Sequence, residues 1–363
     1  MEISEVIANF KTEGNFLKYN KLTSGNINKT YLVINSANCG QIKYILQKIN
    51  GYVFKNPQRL MKNVIDVTNH IRRKIHTRDK NRQVIEFISA KNDLPYFIDN
   101  NGEFWRVYKY IDNSVTFDET DDISVVEETG KAYGKFQLFL SDFNAENLFD
   151  TIEDFHDTEK RFHSFFDSVK KNLANRKKLV EKQIKYLKSK SEYASFFTSR
   201  LKEGKIQLKV THNDTKCNNV LFDKVSKKAL TVIDLDTVMR GLVAYDFGDG
   251  SRSICSTAKE DETDYDKIDF DLNKFRAFTK GFLSKTVNAL SEEELNTLYI
   301  APYIMTLELA SRFLKDYLDG DLYFNCLYEN QNLDRANNQI ILSQKIERKL
   351  IEIKDIVDKC ACK

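Results

Sequence analysis

Apolar positions change their period along this chain. Over the first hundred residues they fall in short β-branched and aromatic runs: KTYLVI at 29–34, IKYILQ at 42–47, QVIEFIS at 83–89 and FWRVYKYI at 104–111. Clusters of Gly, Asn and Asp at 24–26, 36–40 and 98–102 separate them, which predicts strands joined by turns. One stretch there is helical instead. Within 57–77, Leu60, Val64, Val67 and Ile71 recur on one face behind Pro57. From residue 122 the helical period dominates, over 122–142, 151–190, 268–289, 291–318 and 331–359. Segment 206–238 interrupts it and alternates like short strands around a polar loop. The pattern predicts an α+β chain. A small N-terminal antiparallel sheet lobe, residues 1–112, precedes a larger, mainly helical lobe, residues 113–363. The polar stretch at 112–122 marks the boundary.

Composition narrows the class. A length of 363 residues fits two domains or one bilobal unit. With 56 basic against 53 acidic residues, the chain is not built to coat nucleic acid. Only 3 Pro and 13 Gly exclude collagen-like and Pro/Gly-rich disordered classes. No apolar run approaches the length of a membrane span, and MEISEVIANFKTEGNF lacks a signal-peptide pattern. The 6 Cys are scattered without C-x-x-C, as expected of thiols in a reducing compartment. The expectation is a cytoplasmic monomer with neither nucleic-acid nor membrane partners.

The candidate chemistry lies in 211–237. His212, Asp214, Lys216 and Asn219 form H-x-D-x-K-x-x-N, and Asp234 follows at the end of the next hairpin strand. This is the spacing of a phosphoryl-transfer loop. Phosphoryl transfer needs an oriented nucleophile and neutralised charge, with little covalent work from the protein. Asp214 is placed to orient an acceptor hydroxyl and take its proton, and Lys216 to reach the γ-phosphate. Asn219 and Asp234 offer hard oxygen donors to Mg²⁺. His212 buttresses the loop. Asp236 is either a second metal ligand or a cap for the following turn.

THNDTKCNNVLFD and TVIDLDTVMRGLVAYDFGD resemble the catalytic and metal segments of the aminoglycoside phosphotransferase and choline kinase superfamily. Within it, SGNINKTYLV, YILQKINGYVFKNPQRLMKNV, WRVYKYIDNSVTFD, FHDTEKRF and ELASRFLKDYLDGDLYF are similar to segments of bacterial N-acetylhexosamine 1-kinases. The resemblance implies a protein-kinase-like bilobal fold, with a five-stranded sheet and one helix above a helical lobe and ATP between them. It implies nucleotide contacts from Gly25, Asn28 and Gln47, and adenine contacts from the backbone at Tyr110 and Ile111. It also implies a hexosamine wall with Arg312 and Tyr323, joined by His156 and Arg161. Asp246 and Asp249 are expected to anchor the loop. The reaction implied is transfer from ATP, with Mg²⁺, to the anomeric hydroxyl of an N-acetylhexosamine.

Two departures stand out. G-x-G-x-x-G is absent, and the β-strand position where kinases carry the lysine of V-A-I-K is Gln47. Lys48 is adjacent but points to the other face. Two alternatives stay open: a kinase of another hydroxyl acceptor, such as an aminoglycoside or choline-like alcohol, since nothing in the composition selects a sugar, and a nucleotide-binding scaffold without turnover, which Gln47 favours.

Overall fold

The computed structural model describes residues 1–22, 27–38, 40–77 and 79–362. They divide into two compact units. The first holds residues 1–115, 142–153 and 221–239; the second holds 116–141, 154–220 and 240–363. A split into two consecutive stretches does not foresee that 142–153 and 221–239 return to the first unit.

The first unit is built on an antiparallel sheet. Its strands are β1 (Asn15–Leu22), β2 (Lys29–Ala37), β3 (Gly40–Lys48), β4 (Phe87–Ile88), β5 (Phe97–Ile98) and β6 (Phe104–Lys109). They run in the order β1-β2-β3-β6-β4, with β5 also on β6, so the sheet has six strands rather than five. Alternation along the strands gives the sheet two faces. Val33, Tyr44, Leu46, Trp105 and Val107 form one apolar face, packed with Ile3, Val6, Ile7 and Phe10 from the N-terminus. That short helix, Ile3–Ile7, and β1 carry too few apolar repeats to be legible in the sequence. The stretch at 83–89 is mostly not a strand. Lys80–Gln83 is a helical turn and only Phe87–Ile88 pairs.

Helix Pro57–Lys74 follows its sequence pattern. Asn56 caps it by accepting from the Arg59 N–H at 3.1 Å, and Leu60, Met61, Val64, Val67 and Ile71 are buried. It ends at Lys74, where Ile75 turns extended, three residues before the expected limit. Buried Asn63 ties this helix to two other segments of the unit. Its Nδ2 donates to the carbonyls of Phe149 (2.7 Å) and Val238 (3.0 Å), and its Oδ1 accepts from the Phe149 N–H at 3.0 Å.

The second unit is mainly helical. Ile123–Phe139 lies against Leu272–Thr286 at very short range, because a Cβ on Gly130 would sit 2.2 Å from the carbonyl oxygen of Phe278. The long expected helix at 151–190 is two helices, Thr158–Lys171 and Glu181–Ser189. Asn172 and Asn175, both with left-handed backbones, end the first. Likewise 291–318 divides into Glu292–Leu298 and Ala301–Asp319, and 331–359 into Gln331–Arg348 and Leu350–Ala361. Val243–Cys255 is a buried helix that the pattern does not announce, since Gly248, Asp249 and Gly250 give its centre the composition of a turn. Gly248 is there for close approach. A Cβ would lie 2.7 Å from the carbonyl oxygen of Ala301. Among the described residues, no helix is long and apolar enough to cross a membrane.

Candidate active site

The helix Val243–Cys255 fixes the loop at 212–219. Asp246, fully buried, accepts from the backbone N–H of His212 (2.9 Å) and of Asn213 (2.8 Å), and from Gln137 Nε2 (2.6 Å). Burial pushes its carboxyl up, against the pull of His212 and the two backbone donors. One turn on, Asp249 accepts from the Thr215 N–H at 2.8 Å and from Arg252 at 2.6 Å. Thr215 Oγ1 donates to the Asp246 carbonyl at 2.7 Å, and the Tyr133 hydroxyl donates to the Lys216 carbonyl at 2.7 Å. Asp246 and Asp249 thus anchor the loop. His212 supports it as expected, its Nδ1 accepting from the Asp214 N–H at 3.3 Å.

The anchored loop brings three expected residues together. Asn219 Nδ2 donates to the Asp214 carbonyl (2.9 Å) and to its Oδ2 (3.0 Å). Lys216 Nζ lies 3.1 Å from Asp214 Oδ1, and this carboxylate pushes the lysine's pKa up, so the ammonium stays charged. Asp214 is 28 % exposed and Lys216 41 %, so both can meet a ligand. With Nδ2 committed, the amide oxygen is the free end of Asn219.

His156, expected in the acceptor wall, has both ring nitrogens engaged. Nδ1 meets Glu308 Oε1 at 2.8 Å and Nε2 meets the Asn213 carbonyl at 2.9 Å. It links the loop to helix Ala301–Asp319. Glu308 also accepts from Thr158 at 2.6 Å, and it lies 4.0 Å from Arg312. The Arg312 guanidinium sits over Phe155 (5.0 Å) and Phe324 (5.6 Å). Arg161 donates to the Phe155 carbonyl at 3.1 Å; burial and the neighbouring Arg312 charge push its pKa down. Tyr323, 52 % exposed, stands edge-on to Phe324 at 4.9 Å. Asp316 fixes this turn, accepting from the N–H groups of Leu322, Tyr323 and Phe324. Sequence reading missed Glu308 and Phe155, although each is a neighbour of a residue it named. A cavity of about 620 Å³ on the same unit reaches the loop at Cys217 and its anchor at Arg252, and is also lined by Asp118, Asp121, Glu260 and Lys274, among others.

In the first unit, Ser24, Gly25 and Asn26 of the expected nucleotide loop lie outside the described residues. Asn28 Nδ2 donates to Asp236 Oδ2 at 2.5 Å, and its Oδ1 accepts from the Asn50 N–H at 3.0 Å. Gln47 Nε2 donates to Thr30 Oγ1 at 3.1 Å, and its Oε1 accepts from Arg106 Nε at 2.9 Å. Lys48 faces away and pairs with Glu103 at 2.6 Å. Past β6, the Tyr110 N–H bonds the Lys43 carbonyl at 3.1 Å and the Ile111 carbonyl accepts from Ser114 Oγ at 2.6 Å. Asp234 is exposed, with a left-handed backbone that starts the turn Leu235–Thr237. Asp236 is buried and ion-paired with Arg106. With Arg106 and Asn28 on its two oxygens, Asp236 is neither the metal ligand nor the turn cap considered from sequence.

Mg²⁺ takes one or two carboxylates plus neutral oxygens and leaves room for phosphate. Asn219 in the second unit and Asp234 in the first each carry an oxygen of that kind. Among the described residues, no group of three His, Cys, Asp or Glu forms a metal cluster.

One consequence is testable by pH. Burial alone would raise the Asp249 carboxyl, but Arg252, His156, Lys216 and the Thr215 N–H outweigh it and hold it down to about 2. Its stabilisation is therefore present above the ordinary carboxylate value near 3.8 and is lost as pH falls toward 2. Unfolding of the native chain should lose about 2 kcal/mol from this group between those limits. Asp249→Asn should flatten that part of the profile in denaturant titrations.

A carboxylate, a paired ammonium and an amide thus stand together on one braced loop. The profile of the phosphotransferase enzyme family matches residues 18–276, and the chain belongs to that family. It is a small-molecule phosphotransferase of the aminoglycoside phosphotransferase and choline kinase type. Solved structures share the fold. An aminoglycoside phosphotransferase from Alicyclobacillus acidocaldarius is 12% identical, with TM-score 0.66 over 99% of this chain and 97% of that one. A choline kinase from Cryptosporidium parvum is 14% identical, with TM-score 0.58 over 96% and 92%. A spectinomycin phosphotransferase in complex with ADP and spectinomycin is 12% identical, with TM-score 0.52 over 98% and 98%.

Proposed function

We propose that this chain phosphorylates the anomeric hydroxyl of an N-acetylhexosamine, using ATP and Mg²⁺. The observation that carries the reading is the wall of Arg312, Phe155, Phe324 and Tyr323, braced to the catalytic loop through Glu308 and His156. Aromatic faces pack on a sugar ring, and the guanidinium fork donates to hydroxyl or acetamido oxygens. His156 is then a positioning residue rather than a ligand, since both its nitrogens are engaged.

Asp214 orients the acceptor hydroxyl and takes its proton as the bond to phosphorus forms. An anomeric hydroxyl is more acidic than an ordinary alcohol, so a carboxylate suffices. Lys216 carries its charge to the transferred phosphoryl group. Asn219 and Asp234 would each hold Mg²⁺, which when bound neutralises charge on the phosphate oxygens. The ADP complex of the spectinomycin enzyme supports an adenine nucleotide as donor.

A second reading has its own support. The carboxylates Asp118, Glu119, Asp121, Glu260 and Glu262 on the cavity beside the loop favour a cationic acceptor such as an amino alcohol or aminoglycoside. Incubation with ATP, Mg²⁺ and a panel of hexosamines, choline and kanamycin, followed by mass spectrometry, separates the two. The expected product is an N-acetylhexosamine 1-phosphate, stable to alkali but cleaved by mild acid. Phosphorylation of only the cationic acceptors overturns the sugar reading.

A further inference from the structure

We infer that Arg106 is the phosphate-facing cation of this chain, carried on β6, one strand away from the β3 position where kinases place a lysine. The inference rests on the nucleotide-dependent reading above. Thr30, Gln47 and Arg106 are direct partners in register across β2, β3 and β6. Directly opposed residues of antiparallel strands share a face, so the three side chains form one polar row. The row is bonded along its length, Arg106 to Gln47 and Gln47 to Thr30. Gln47 therefore does not offer its amide to a nucleotide. Both ends of that amide hold the row, and its oxygen orients the guanidinium.

The next link reaches the metal-binding turn. Arg106 Nη1 donates to Asp236 Oδ1, and both side chains are 3% exposed. Asp236 stands two residues beyond Asp234, and its other oxygen takes Asn28 at the start of β2. A single arginine thus joins the strand that ends the nucleotide turn, the sheet and the metal-binding turn. Arginine presents five donors in a fixed fork. Nε and Nη1 are engaged; among the described residues, Nη2 meets no acceptor. Tyr108, two residues along β6 and so on the same face, feels Arg106, Asp234 and Asp236 together. Asp234 also acts on Arg106 itself, so the carboxylate that would hold the nucleotide's metal lies within electrostatic reach of the guanidinium, whose face lies over Phe87 at 5.9 Å.

Calorimetric titration of the full-length chain with ADP, and separately with adenosine, tests this. Arg106→Gln/Asp236→Asn removes both buried charges at once and strands neither. Loss of a charged contact to phosphate should weaken ADP by about ten- to a hundredfold and leave adenosine unchanged. Gln47→Lys/Arg106→Gln keeps Asp236 paired but returns the charge to β3, and it should recover ADP binding. Equal weakening of ADP and adenosine, or wild-type ADP affinity in the charge-free variant, overturns the inference and leaves the kinase reading intact. A wild type that binds neither ligand overturns both. If the charge-free variant does not fold, the exchange variant decides, and loss of its phosphate-dependent affinity counts against Arg106.

Discussion

Asp214→Asn is expected to lower turnover by roughly 10²- to 10⁴-fold, the range ascribed to a positioned general base, while ADP affinity stays near wild type. The geometry sets both halves of that result. Asp214 holds Lys216 Nζ at 3.1 Å and Asn219 Nδ2 at 3.0 Å, so an amide of the same shape still fills the position. It no longer takes a proton, and it no longer presents a full charge to Lys216. Burst-free steady-state kinetics with parallel ADP titration checks it. Undiminished turnover would remove Asp214 from the chemistry and leave the loop without a base.

Asp246→Ala should have the largest effect on stability. The carboxylate serves two backbone N–H groups of the loop and the Gln137 amide, all buried. Each buried donor left without a partner costs about 1–3 kcal/mol. Three of them approach the whole stability of an ordinary domain, roughly 5–15 kcal/mol. Thermal unfolding should show a fall in Tm of many degrees or no cooperative transition. Asp246→Asn keeps one acceptor and turns a second position into a donor facing a donor, so it should be intermediate in stability and low in turnover. A Tm within a degree or two of wild type for the alanine variant would show that the loop is held elsewhere.

Legibility followed sequence separation. The loop was readable because Asp214, Lys216 and Asn219 act on one another within five residues, so spacing alone carries the chemistry. Helix Pro57–Lys74 was readable because its apolar stripe repeats in phase. Arg106 was not. Its partners Gln47 and Asp236 lie 59 and 130 residues away, and only the β3–β6 register opposes it to the missing lysine. Alternation puts Arg106 on the face opposite Trp105 and Val107, so locally it reads as an ordinary outward charge and nothing announces its burial. The acceptor wall came from family resemblance alone, because Phe155 and Phe324 meet only through the fold around Arg312. Helix Val243–Cys255 was hidden by its own glycines, which are there for close packing and not for a turn.

The anchoring of the catalytic loop by carboxylates on a buried helix divides the second unit by tolerance to change. Asp246 and Asp249 are bonded to the loop and Gly248 is pressed against helix Ala301–Asp319, so substitution at the two carboxylates disturbs the loop and the fold together. Leu322, Tyr323 and Leu327 lie at the surface, on a turn fixed chiefly by backbone bonds to Asp316. Side chains on that turn can be exchanged without reaching the loop. On the proposed acceptor wall, preference can therefore drift along one exposed edge while the loop that carries the proposed chemistry is kept.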